Sequence, residues 1–174
     1  MHFAIPPGGR AQFRHALNIA LSRNPKDPVL LSHRAYLFQE GGDLALAVRD
    51  FDKAIEYAVP GSAVERNVYW ALGWANYDQG DYEGAFDNWL HAIKEHGGKP
   101  YWEAYTLALL YWTAGKQEMA LDWYAAAVAS DPQWNNEKGF KEKTRYWRPL
   151  QRERMQQLFG TWRSSVGSIE PGQP

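Results

Sequence analysis

The chain contains no cysteine, which excludes disulfides and cysteine-ligated zinc and fits cytosol and periplasm equally well. Long apolar runs are also missing: no stretch approaches the ~18 residues that a membrane-spanning helix requires. The first ten residues, Met1 to Arg10, lack the basic start and apolar stretch of a secretory leader, so a cytoplasmic location is favoured and a periplasmic one left open. Catalytic signatures are absent too. The five histidines form no HExxH pair, and no Gly-x-Ser-x-Gly occurs. Gly115-Lys116 has Leu110 where a phosphate loop needs its first glycine and Gln117 where it needs Ser or Thr. Asp50 and Asp52, two apart on a helix, face different ways. These absences predict a non-enzyme with no cofactor and no metal.

Aromatic rings are what the chain has in excess. Nine Trp and ten Tyr in 174 residues exceed what a thin helical layer can hide, and such rings are enriched at interfaces. Charge is unevenly spread although the net value is −1. Residues 138–163 carry eight Lys/Arg against Glu142 and Glu153, whereas residues 1–137 carry eleven against seventeen Asp/Glu. The favoured reading of the basic stretch is a solvated helical cap. Contact with nucleic acid or an anionic membrane is the alternative, and the expectation is that neither is a partner.

Internal repetition decides the fold class. Three segments align: Leu31 to Ala54, Tyr69 to Ala92 and Ala104 to Ala127. Each has a small residue in its first helix (Ala35, Gly73, Ala108) and a glycine at its turn (Gly42, Gly80, Gly115). Each then carries a small–large–small trio: Ala47/Phe51/Ala54, Ala85/Trp89/Ala92 and Ala120/Tyr124/Ala127. Small residues let two antiparallel helices approach, and the ring between them fills the crossing. Glycine supplies the left-handed residue that ends the first helix, and Asp43 or Asp81 is placed to cap the second.

These offsets resemble the tetratricopeptide family, which ends its repeats with a proline such as Asp131-Pro132 and has a period of about 34 residues. The resemblance implies an all-α, right-handed helical-hairpin solenoid of about three full units. Phe13/Leu17/Ala20/Pro25 matches the second helix of an earlier, halved copy. Beyond the array, Pro149 suits the start of a last helix whose apolar stripe is Leu150, Met155, Leu158, Phe159 and Trp162. The expected organisation is an N-terminal segment 1–9, an array 10–132, capping helices 133–163 and a loose tail 164–174.

In that family the first helices line a concave groove, which implies a protein- or peptide-binding scaffold. Trp70, Trp74 and Tyr77 form one stripe within ~60°, and Trp102, Tyr105, Leu109 and Trp112 another within ~80°; Tyr36 belongs to the first copy. The candidate peptide-binding residues are therefore Tyr36, Trp70, Trp74, Tyr77, Trp102, Tyr105 and Trp112, with polar help from Gln39, Asn67 and Asp78. One or two of the seven rings are expected to be buried. Core positions are assigned to Tyr69, Leu72, Gly73, Leu107, Ala108 and Tyr111. Family members that clamp a C-terminal carboxylate use Lys, Asn and Arg; here Ser32, Tyr36, Ala71, Trp102 and Thr106 stand at those places, so a carboxylate-clamp chaperone is not an expected partner. The expected partner is another protein or an extended, proline-rich peptide. Self-association into a homo-oligomer is the competing use of exposed rings.

Overall fold

A computed structural model describes residues 9–167, all of whose regular elements are helical. Expectations for residues 1–8 and 168–174 lie outside the described residues. The chain divides into two compact units that meet in sequence at Pro100 and Tyr101.

The first unit holds α1 (Arg10–Arg23), α2 (Pro28–Glu40), α3 (Leu44–Tyr57), α4 (Ala63–Gln79) and α5 (Tyr82–His96). Helix α2 pairs with α3 and α4 with α5, while α2 also packs on α1 and α4. Starts and stops follow local chemistry. Asp27 accepts from the Val29 and Leu30 N–H groups at 2.9 and 3.0 Å, with Pro28 in the first turn, where its missing N–H costs nothing. Ser62 accepts from the Glu65 N–H, and the Glu65 carboxylate reaches back to the Gly61 N–H at 2.6 Å. The turn residues Gly42, Gly80 and Gly115 all take the positive φ that the repeat pattern requires. Asp81 caps α5 through the Gly84 N–H, but Asp43 makes no such bond to α3 and lies 4.0 Å from Arg14 instead.

All nine residues of the small–large–small trios are buried. The crossing of α4 and α5 is built on a glycine. There the Trp89 indole lies over Gly73, against which any Cβ would collide, and its N–H donates to the Trp70 carbonyl at 3.2 Å. Asp50 is a second buried feature. Its carboxylate accepts from Arg34 at 2.6 and 3.1 Å and from Arg49 at 2.8 Å, which offsets the cost of removing a charge from water.

The second unit holds α6 (Glu103–Thr113), α7 (Gln117–Ser130), a 3₁₀ turn (Pro132–Asn135), α8 (Glu137–Thr144) and α9 (Pro149–Gly167). Helix α9 packs against both α6 and α7, so the third hairpin shares its core with the C-terminal helices. Tyr124 lies at the middle, its ring 6.2 Å from Phe159 and 5.4 Å from Trp162. Its hydroxyl donates to the Trp134 carbonyl at 2.9 Å, and burial pushes the phenol well above its ordinary pKa. Two details of α9 differ from the sequence reading. Leu150 is 53% exposed, and the helix continues past residue 163 to Gly167. Gln151 is buried beside Leu150, and its side-chain oxygen accepts from the Arg148 N–H at 3.1 Å, fixing the first turn.

Two outcomes follow for stability. Gly73→Ala, although alanine is the better helix former, should destabilise by about 1–3 kcal/mol through overpacking against a fully buried indole. Gly160→Ala, in open space on α9, should instead stabilise by about 0.5–1 kcal/mol, and paired thermal melts read both signs. Truncation after Pro132 removes Trp134, Phe140, Phe159 and Trp162 from the Tyr124 core. It should lower the melting temperature by many degrees and cause aggregation; an equally stable monomer would mean that the third hairpin needs no cap.

Candidate functional site

The seven candidate rings divide by burial, and more are hidden than the one or two expected. Tyr36, Trp70, Trp74, Tyr77 and Tyr105 are buried, whereas Trp102 and Trp112 keep a solvent-facing part. The cause on α4 is the Gly73 crossing. Trp74, only 2% exposed, turns its ring to within 5.0 Å of Trp89, and Tyr77 stacks on the same indole at 6.1 Å. Trp70 meets Trp74 edge to face at 6.2 Å. The predicted core positions shift correspondingly. Tyr69, Leu72 and Tyr111 are only half-buried, while Gly73, Leu107 and Ala108 are fully inside as expected. Tyr69 instead lays its ring 3.9 Å from that of His91.

Two of the three polar groups expected beside the rings, Asp78 and Gln39, are engaged within the first unit. The Tyr36 hydroxyl donates to Asp78 at 2.8 Å, and the Gln39 amide donates to the Ala75 carbonyl at 3.0 Å. Asn67 remains exposed. Ser32, one of the positions that argues against a carboxylate clamp, is buried and donates to the Val29 carbonyl at 2.9 Å.

In the second unit, Trp102 precedes α6 and its carbonyl accepts from the Thr106 hydroxyl at 2.8 Å. Trp112 lies in the last turn of the same helix and is half-buried. Between them Tyr105 points into a box of rings, with Trp134 at 5.3 Å and Trp147 at 5.7 Å. Burial drives its phenol pKa far up, so the hydroxyl stays protonated. A shallow pocket of about 130 Å³ opens beside these rings and is lined also by Tyr101, Asp131 and Lys143. Lys143 pairs with Asp131 and lies 5.7 Å from the centre of the Trp134 ring. The Lys143 hydrogen bond, aided by the Gln133 N–H, holds the Asp131 carboxyl below its ordinary range. Sequence reasoning missed Trp134, Trp147, Asp131 and Lys143 as a cluster. Their segment departs from the repeat pattern, and no periodicity connects a helix-flanking Trp to Tyr105.

The basic C-terminal stretch is partly paired within itself. Arg145 meets Glu142 at 2.9 Å, Lys141 meets Glu137 at 3.4 Å and Arg163 approaches Glu137 at 3.9 Å. Among the described residues no group of His, Asp and Glu is arranged to hold a metal, and no helix is long and apolar enough to cross a membrane.

Helical hairpins built on alanine, glycine and one interposed ring define a helical-repeat protein. Residues 104–133, the α6–α7 hairpin and the following turn, match the tetratricopeptide repeat family, so the resemblance drawn from the sequence is borne out. Two crystal structures of MamA share the fold. One has a TM-score of 0.57 at 16% identity, covering 93% of this chain and 91% of that one. The other has a TM-score of 0.54 at 16% identity, covering 99% and 96%. The all-α helical-hairpin repeat class expected from the sequence is therefore the class observed. No curated protein matches the chain.

Burial makes a specific demand of Trp74. Trp74→Ala should cost about 3–5 kcal/mol of stability, as for other core Trp truncations, whereas Trp102→Ala should leave the melting temperature nearly unchanged. Equal effects in thermal denaturation would reverse the division between core and surface rings.

Proposed function

We propose that the chain is a non-catalytic scaffold that binds another protein or an extended peptide, using the solvent-facing aromatic part of α6. The tetratricopeptide match over residues 104–133 supports a protein-interaction role in general. The observation that carries the finer reading is that Trp102 and Trp112, which bracket α6, keep exposed ring surface while the chain's other candidate rings turn inward. Tyr101, next to Trp102 in the chain, is 76% exposed. Amphipathic rings held on a rigid helix lose little entropy on contact, which is why Trp and Tyr concentrate binding energy at interfaces. Proline-rich segments suit such rings because their extended form is already ordered before binding. Of the seven candidates, Tyr36, Trp70, Trp74 and Tyr77 serve in this reading as core rings of the first unit, and Tyr105 as a core ring of the second.

The test uses Trp102→Ala and Trp112→Ala beside wild type in affinity capture, with sedimentation to read self-association. Each substitution should weaken capture by about thirtyfold, the equivalent of ~2 kcal/mol per aromatic anchor, with an unchanged melting temperature. Capture that survives both substitutions would sink the α6 site. A concentration-dependent dimer lost in both variants would make the partner a second copy of the chain.

A further inference from the structure

The helices of the first unit leave one apolar concavity open. Between α3 and α4 lies a groove of about 200 Å³, with Leu44, Val48 and Phe51 on one wall and Leu72 on the other. Leu44 and Val48 stand one turn apart on α3 and are 46% and 59% exposed, so the mouth of the groove is apolar as well as its depth. Gln39 of α2 also lines it. That side chain is only 5% exposed, and its amide N–H donates to the Ala75 carbonyl at 3.0 Å. Its oxygen accepts from no group among the described residues. Buried polar atoms are satisfied in nearly all folded proteins, so an acceptor left over at an apolar groove points to a donor that enters with the groove's occupant.

Such an occupant is uncharged, apolar and carries an N–H, and it has room for one ring, since a cavity of ~150 Å³ already holds benzene. The chain supplies a segment of that kind close by. Helix α1 is fastened at its start to the α2–α3 turn, Arg10 to Glu40 at 2.9 Å and Arg14 to Asp43 at 4.0 Å. Asp43 directly precedes Leu44, so the chain before Arg10 departs from α1 beside one end of the groove. Its sequence is Met1-His2-Phe3-Ala4-Ile5-Pro6-Pro7-Gly8-Gly9, without Asp, Glu, Lys or Arg. These nine residues reach about 30 Å when extended, against about 12 Å along α3 from Leu44 to Asp52. The residues after Gly167 suit the groove less, because they follow a helix of the second unit and include Glu170. We propose that residues 1–8 return onto the first unit as a strap, with the Phe3 ring seated among Leu44, Val48 and Leu72 and a backbone N–H of the strap donating to Gln39. Pro6-Pro7 favours an extended form before contact, which keeps the entropy lost on docking small. The inference concerns the first unit alone and does not depend on the α6 reading.

The experiment is NMR on the full chain with labelled Leu and Val methyl groups. Nuclear Overhauser contacts should join the Phe3 ring protons to the methyls of Leu44, Val48 and Leu72, at an intensity that does not change with protein concentration. Val48→Glu places a charge at the exposed mouth of the groove and should release the strap while leaving the melting temperature nearly unchanged. In that variant the contacts from Phe3 should vanish, and the Ala4 and Ile5 amides should exchange with solvent about tenfold faster than in wild type. Phe3→Ser should move the Leu44 and Val48 methyl resonances in the same direction as Val48→Glu moves that of Leu44. Wild-type protein with no contact between Phe3 and these methyls would overturn the proposal, and that result needs no variant to fold. Contacts that grow with concentration and cross between differently labelled chains would overturn it as well, since the groove would then hold the strap of a second copy.

Discussion

The Trp89 indole lies against the backbone of α4 at the one place, Gly73, where that helix carries no side chain. This contact brings α5 close enough for the indole N–H to reach the Trp70 carbonyl, and it brings Trp74 and Tyr77, whose rings also touch each other, against the same indole. A buried indole of that size has no room to shift, since protein interiors are packed near the density of organic crystals. The orientation of α4 about its own axis follows from it, and with that orientation the inward turn of three rings that the helix could otherwise have presented to solvent. Phe51 between Ala47 and Ala54, and Tyr124 between Ala120 and Ala127, set the other two hairpins by the same geometry.

The second unit adds a polar constraint to the steric one. The Tyr124 hydroxyl, buried with its ring, satisfies itself on the Trp134 carbonyl and thereby fixes the 3₁₀ turn against α7. Asp131 starts that turn by accepting from the Gln133 N–H and simultaneously holds Lys143 of α8. Trp134 is thus fastened from both sides, and the box it forms with Tyr105 and Trp147 is a consequence of how the third hairpin is closed. Phe140 and Phe159 stack at 5.0 Å and join α8 to α9 behind it.

The contrast between rings buried by the hairpin crossings and rings left at the ends of α6 gives the scaffold reading its shape. Trp102 and Trp112 are only half-buried, and neither belongs to a small–large–small trio. Charge contributes less. Lys141, Arg145 and Arg163 of the C-terminal stretch find partners in Glu137 and Glu142, and such exposed pairs are worth little.

The sequence by itself determined the hairpins, because the features that make them are local. The trio offsets come from the 3.6-residue turn, and Gly42, Gly80 and Gly115 supply a left-handed residue that needs no distant partner. Pro149 and Asp81 likewise act within a few residues of themselves. Tertiary structure alone decided which side of each helix faced inward. Trp70, Trp74 and Tyr77 share an arc of about 60°, and an arc that narrow turns wholly in or wholly out with a small rotation of the helix. Leu150, expected on the apolar stripe, is exposed for the same reason, and its neighbour Gln151 is buried. The ring box of Tyr105, Trp134 and Trp147 has no sequence signature, since its members are 13 to 42 positions apart and meet only after α8 and α9 close on the third hairpin. Periodicity fixes an angle between residues on one helix; only the neighbouring helix fixes where that angle starts.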